Sequence, residues 1–225
     1  MHLMMSYLSD LKANNNREWY HKNKSRLREA EAAFEQLLSR LIFSIGQADS
    51  SVLHNNPKDL TFKLVRDTRF SHDKSPYNPA FRAHIGPAGK LPVPCGYYIS
   101  LSPDGGSFLG GGLFASMFRD ATSMVRDCIA EHGEELEAII KNEAFSAHFE
   151  IQGEALKKIP PGYDPNHPQA EFLKHKSWYL EYAIKNDALE NEDRFIEQAA
   201  QVFLLMKPFN AYLNQALAGF QMPAR

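Results

Sequence analysis

An α+β fold is what this sequence predicts, with a central, mainly antiparallel sheet of about four to six strands and helices from both chain ends packed on it. Three observations carry the prediction. Apolar residues recur at three- and four-residue steps near both ends of the chain. Between them lie short segments rich in aromatic and β-branched residues. Those segments are separated by turn residues rather than helices, which favours antiparallel pairing over a doubly wound sheet.

The elements follow in order. Ser6 to about Lys12 reads as a short first helix. Asn14-Asn15-Asn16 stops it, and Asn16 is placed to cap a restart at Arg17-Glu18-Trp19-Tyr20. A long amphipathic helix follows, with Leu27, Ala30, Phe34, Leu37, Leu38, Leu41 and Ile45 on one face and an end near Gly46. Strands are predicted at Thr61–Arg66, Ala80–Ile85, Tyr97–Ser102 and Ser107–Gly111, the last two joined as a hairpin by Pro103-Asp104-Gly105-Gly106. A helix is predicted from Ala115 to His132, ended by Gly133, followed by a polar helical stretch from Glu134 to Phe149. After a proline-rich connection, Ser177–Ile184 reads as a strand with Trp178, Leu180 and Tyr182 on one face. The final helix carries Phe195, Ala199, Val202, Met206, Phe209, Leu213 and Leu217, with Pro208 expected to kink or split it. No repeat or linker divides the chain, so residues 1–225 are read as a single domain.

A chain of 225 residues, 44% hydrophobic, is long enough to bury one sizeable core. The net charge is -2, which argues against a chain-wide polyanion track. The charge is unevenly spread: Lys58 to Lys90 holds seven Lys or Arg against three Asp, a local +4. A basic segment on a mildly acidic protein points to a local anion site. Two cysteines form neither a disulfide framework nor a zinc spacing, and no secretory leader or membrane-length apolar run is visible. The expectation is a cytoplasmic protein without membrane association.

Within the basic segment, Arg66, Asp67, Arg69, Asp73, Lys74 and Tyr77 crowd into twelve residues, interleaved with Phe62, Leu64, Val65 and Phe70, which read as core. As a strand, Thr61–Arg66 would put Phe62, Leu64 and Arg66 on one face, opening at its end into a polar cleft. Two guanidinium forks, with Lys74 as a point charge, suit a phosphate or di-anion. Asp67 is then the candidate base or orienting group, and Tyr77 or Tyr98 the candidate hydroxyl donor. The competing reading makes Arg66-Asp67 and Asp73-Lys74 salt bridges that only fix the turn.

Gly110-Gly111-Gly112, just before a predicted helix, would expose backbone N–H groups to an anion. Its alternative is a tight turn or close strand–helix packing. The chain lacks a Walker loop and a dinucleotide fingerprint, so no cofactor is named. Nine histidines show no metal-ligand spacing, and no metal ligands are assigned. Cys95, in a Pro-Cys-Gly loop, would be reactive if exposed, though no neighbouring pattern marks it as a nucleophile. The Asn-rich entry serves as a cap with a Trp anchor, or lends Asn15 or Arg17 to a cleft.

These segments resemble the mainly bacterial domain-of-unknown-function family 2461. Its hallmark is Arg-x-x-Arg-Asp-x-Arg-Phe followed by Asp-Lys-x-Pro-Tyr. Here that maps onto Lys63 through Phe70 and Asp73 through Tyr77, with Lys63 in place of the first Arg. The family's Asn-Asn-x-Arg-Glu-Trp start is similar to Asn14–Trp19, its Gly-Tyr-Tyr strand to Gly96–Tyr98, and its Gly-Gly-Gly-Leu-Trp turn to Gly110–Phe114. The resemblance implies a single α+β domain and a shared site that includes Lys63, with no assigned reaction.

Function is therefore expected to rest on an anion- or phosphate-binding cleft made by Arg66, Arg69, Lys74 and Lys63, with Tyr98, Gly110, Gly111 and Gly112, and with Asp67 and Tyr77 in catalytic roles. The ligand would be a phosphorylated small molecule or nucleotide. The alternatives are a docking module for protein or nucleic acid, with nucleic acid the less favoured partner, and an internal ion-pair network.

Overall fold

The computed structural model describes residues 1–114 and 118–223. Helix α1 spans His2–Ala13, earlier than Ser6, because Met4 already begins the buried stripe Met4, Tyr7, Leu8 and Leu11. Asn16 accepts from the Trp19 N–H and starts α2, Arg17–Lys22. Helix α3, Lys24–Gly46, buries the anticipated apolar face. A short α4, Pro57–Leu60, leads into the basic segment.

Strands β1 (Phe81–Ile85), β2 (Tyr97–Leu101), β3 (Phe108–Leu113) and β4 (Trp178–Ala183) form one sheet in the order β1-β2-β3-β4, every pair antiparallel. Thr61–Arg66, expected as a strand, is not one. It makes only isolated bridges, Thr61 with Ala83 and Val65 with Tyr77. Pro76 has no N–H to continue a ladder, so the pairing stops there.

Helix α5 spans Arg119–Lys141. The expected start at Ala115, and the apolar position Met117, lie outside the described residues. The chain does not end its helix at Gly133; it kinks at His132 (φ -126°, ψ 33°) and resumes. Short helices α6 (Glu143–Ser146) and α7 (Ala170–Leu173) precede β4. Helix α8, Glu192–Ala216, runs through Pro208 unbroken. Proline removes one helical hydrogen bond there, and buried Met206, Phe209, Asn210 and Leu213 hold both sides of the gap in place.

Strand parity divides the sheet into two faces. Phe81, Ala83, Ile85, Tyr97, Ile99, Leu101, Leu109, Leu113, Trp178 and Leu180 are all buried. Phe81 meets Tyr7 of α1 and Phe34 of α3, and Tyr97 meets Phe203 of α8. The other face presents Arg82, Tyr98, Phe108, Tyr179 and Glu181, all partly exposed.

The glycine triplet lies inside β3, where Gly111 pairs with Tyr97 and Leu180, and Gly110 with Tyr98 and Glu181. It is not the turn at a helix N-terminus that the sequence suggested. Gly111 lets α8 approach: a Cβ there would sit 3.0 Å from the Met206 Sδ and 3.2 Å from the Asn210 Oδ1. Gly112 adopts φ +90°, and a Cβ there would come 2.4 Å from the Trp178 carbonyl oxygen. Asn210, buried on α8, accepts from the Gly112 N–H (2.8 Å) and donates to the Gly96 carbonyl (3.0 Å). One turn later Asn214 accepts from the Cys95 N–H (2.6 Å) and donates to its carbonyl (3.0 Å). The sequence reading anticipated neither asparagine.

Candidate functional site on the open face of the sheet

The motif segment builds a loop fastened at its root. Arg66 N–H donates to the Pro76 carbonyl and Asn78 N–H to the Leu64 carbonyl (2.9 and 2.7 Å). Asn15 clamps the return strand: its Oδ1 accepts from the Tyr77 N–H (3.1 Å) and its Nδ2 donates to the Tyr77 carbonyl (2.9 Å). Tyr77 is only 5% exposed and stacks on Tyr20 at 4.0 Å. Of the four apolar residues read as core, only Leu64 is buried. Phe62 is open to solvent, Val65 is 57% exposed and Phe70 is 94% exposed. The reason is that the segment peels off the sheet after Phe62, so only Leu64 still faces the interior.

The loop's charges pair with one another. Arg66 forms an ion pair with Asp73 and also reaches Ser71 Oγ (3.3 Å). Arg69 grips Asp67, with Nη2 donating to Oδ2 at 2.6 Å and Nε to Oδ1 at 3.0 Å. Lys74 donates to the Thr68 carbonyl (3.0 Å). Hydrogen bonds from Ser75, then Arg66, hold Asp73 well below the usual carboxylate range. Arg69 likewise lowers Asp67. The Asp67 carboxylate is thus engaged on both oxygens by Arg69. The Arg69 side chain remains 78% exposed, so this pairing contributes little stability.

A different cation occupies the sheet. Arg82 of β1 donates through Nη2 to the Lys63 carbonyl (3.2 Å), and its guanidinium lies over the Phe62 ring (5.8 Å). Its Nε is buried without an acceptor in the protein, and among the described residues it has no carboxylate partner. Phe62 stands 6.1 Å from Tyr98, and Tyr98 stands 5.8 Å from Phe108. Burial raises the Tyr98 hydroxyl, and neighbouring Arg82 opposes that shift. Beside these rings Gly110 is buried: a Cβ there would be 3.1 Å from the Leu180 carbonyl oxygen and 3.7 Å from both Tyr98 Cβ and Phe108 Cε2, so the Phe108 ring packs against bare backbone. Farther along, Phe114 stacks on Tyr179 at 3.7 Å.

A family model matches residues 3–212: domain-of-unknown-function family 2461, described as a conserved hypothetical protein. The chain belongs to this family. No curated protein and no solved structure matches it.

The family's motif segments are therefore seen in three dimensions. The Asn-rich entry and the Pro-Tyr end of the hallmark meet through Asn15 and Tyr77. Tyr98 and Gly110 are register partners. Gly111 and Gly112 meet α8. Among the described residues no hydrogen bond or salt bridge joins Arg66, Arg69 or Lys74 to Tyr98 or the glycines. The link between loop and sheet is Phe62 with the Lys63 backbone, while the Lys63 side chain is exposed. Arg82 was missed by the sequence reading, although alternation in Phe81-Arg82-Ala83-His84-Ile85 already places it opposite the buried positions.

Cys95 and His84 are closed off by burial, although His84 shares the face of Arg82 on β1 and pairs in register with Tyr98. Cys95 is buried, which pushes its thiol up to about 12 and leaves it unreactive. His84 is buried against the Gly89 carbonyl (3.2 Å). A cleft of about 520 Å³ lies instead between β4 and the start of α8, lined by Tyr182, Lys185, Arg194 and Gln198. Among the described residues no helix is long and apolar enough to cross a membrane.

Proposed function

We propose that the protein binds a phosphorylated molecule carrying a planar ring, such as a nucleotide, on the open face of the sheet. The observation that carries this reading is Arg82. It is a guanidinium without a carboxylate partner, with a buried Nε lacking an acceptor, set against Phe62 beside Tyr98. A phosphate oxygen would pair with the outer nitrogens of that guanidinium, and a ring would stack on Phe62 or Tyr98. Lys63 stands at the edge as a second, exposed cation. The Arg66–Tyr77 loop flanks this surface and is not its centre, since its two guanidiniums are already engaged by Asp73 and Asp67. Binding is favoured over base catalysis because Arg69 engages both Asp67 oxygens and Tyr77 is packed against Tyr20.

The test is calorimetric titration with AMP, UMP and inorganic phosphate. Arg82→Gln should weaken nucleotide binding about tenfold or more, the scale of one charge-assisted hydrogen bond. Arg69→Gln should change it far less. Equal affinity for wild type and Arg82→Gln, or a larger loss with Arg69→Gln, would overturn the assignment.

A further inference from the structure

Resting on that reading, we propose that the natural ligand is a single-stranded nucleic acid laid across the open face, with bases on the rings and phosphates meeting Arg82 and Lys63 where it crosses the β1 edge. The face has a row of aromatic rings instead of one. Phe62, beyond β1, Tyr98 on β2 and Phe108 on β3 follow one another at 6.1 and 5.8 Å. A separate Phe114–Tyr179 stack lies toward the far end of β3, beyond Glu181. Bases stack on such rings without sequence preference, because every base presents a π-face. Sheets with exposed aromatics are a recurrent platform for unpaired RNA bases.

The row of rings, open to solvent at Phe62, supports a polymer over a small metabolite. Small-molecule sites are concave and bury most of their ligand. The 520 Å³ cleft lies on other elements, between β4 and α8. The surface around Gly110 is formed instead by the Tyr98 and Phe108 rings packed beside each other. A duplex, whose bases are already stacked and paired, cannot use it.

Charge supplies the direction. Arg82 on β1 and Lys63 beside it have no carboxylate partner among the described residues. The opposite side carries Glu181, the register partner of Gly110. Phosphates are thus attracted to the β1 edge and repelled from β4. The projecting loop adds Phe70, nearly fully exposed, with Arg69 at 5.8 Å from its ring. Asp67 and Asp73 neutralise that loop's guanidiniums, so its contribution is one more stacking surface and little net charge.

The experiment is fluorescence anisotropy with labelled oligo-dT and oligo-rU of about 12 nucleotides, a typical site length for such platforms, and with a duplex of equal length. The single strands should bind at least about tenfold tighter than the duplex, and raising salt from about 50 to about 200 mM should weaken them. Phe62→Ala, at an exposed position that does not threaten folding, and Tyr98→Ala should each weaken binding about tenfold. Tyr98→Phe, which keeps the ring, should restore it. Arg82→Gln should lower the salt slope by about one. A preference of rU over dT would mark RNA as the natural form, and the reverse DNA. Duplex binding as tight as single-strand binding, or aromatic variants without effect, would overturn the inference. No oligonucleotide binding while AMP still binds through Arg82 would overturn it and leave the small-molecule reading standing. Loss of both would remove both.

Discussion

Asn210→Ala tests how the glycine strand and the last helix hold each other. Asn210 is buried and spends both ends of its amide on backbone groups, the Gly112 N–H at 2.8 Å and the Gly96 carbonyl at 3.0 Å. Truncation leaves a donor and an acceptor unpaired at the sheet–helix contact. At about 1–3 kcal/mol for each, the loss is about 2–5 kcal/mol, a large share of the stability of a typical domain. Urea unfolding followed by tryptophan fluorescence should show a lower midpoint at unchanged slope. Asn210→Asp sharpens the test. Its carboxylate can still accept from the Gly112 N–H but turns an oxygen toward the Gly96 carbonyl. It should be at least as destabilised at neutral pH and partly recover in acid, where a protonated carboxyl can donate. An Asn210→Ala midpoint within about 0.5 kcal/mol of wild type would refute the reasoning.

Three further outcomes follow from local geometry and titration. Gly112→Ala should cost about 3 kcal/mol or more, because φ +90° is combined with a clash against the Trp178 carbonyl at 2.4 Å. Gly105→Ala is the control: its φ is +78°, but no atom lies within 4 Å, so only the backbone penalty of about 1–2 kcal/mol applies. Burial lowers His84 to about 4, despite its bond to the Gly89 carbonyl. The unfolded chain therefore binds the proton first, and stability should fall by up to about 3 kcal/mol as pH drops from about 6.5 to about 4. Chemical denaturation across that range should show the slope in wild type and a flatter profile in a folded His84→Gln variant. The same slope in both would exclude His84 as its source.

Much of the fold is legible in local pattern. The α3 stripe from Leu27 to Ile45, the hairpin around Gly105, and the face shared by Trp178 and Leu180 appear where periodicity puts them, because helix and strand periods are short-range geometry. Even α1 was readable one turn earlier, from Met4, Tyr7, Leu8 and Leu11. The charge density between Arg66 and Tyr77 was equally plain, but its meaning was not. Composition cannot distinguish a guanidinium facing a ligand from one facing Asp73, and only the folded loop pairs Arg66 with Asp73 and Arg69 with Asp67. The glycines show the same divide. The sequence limits them to places where a side chain is unwelcome. Tertiary packing assigns Gly111 to the approach of α8, Gly112 to a left-handed backbone against Trp178, and Gly110 to the close approach of the Leu180 carbonyl and the Phe108 ring. Arg82 stands between the two levels. Its face follows from alternation, whereas its lack of a counter-charge depends on which carboxylates the chain brings near it, and that is a property of residues far apart in sequence.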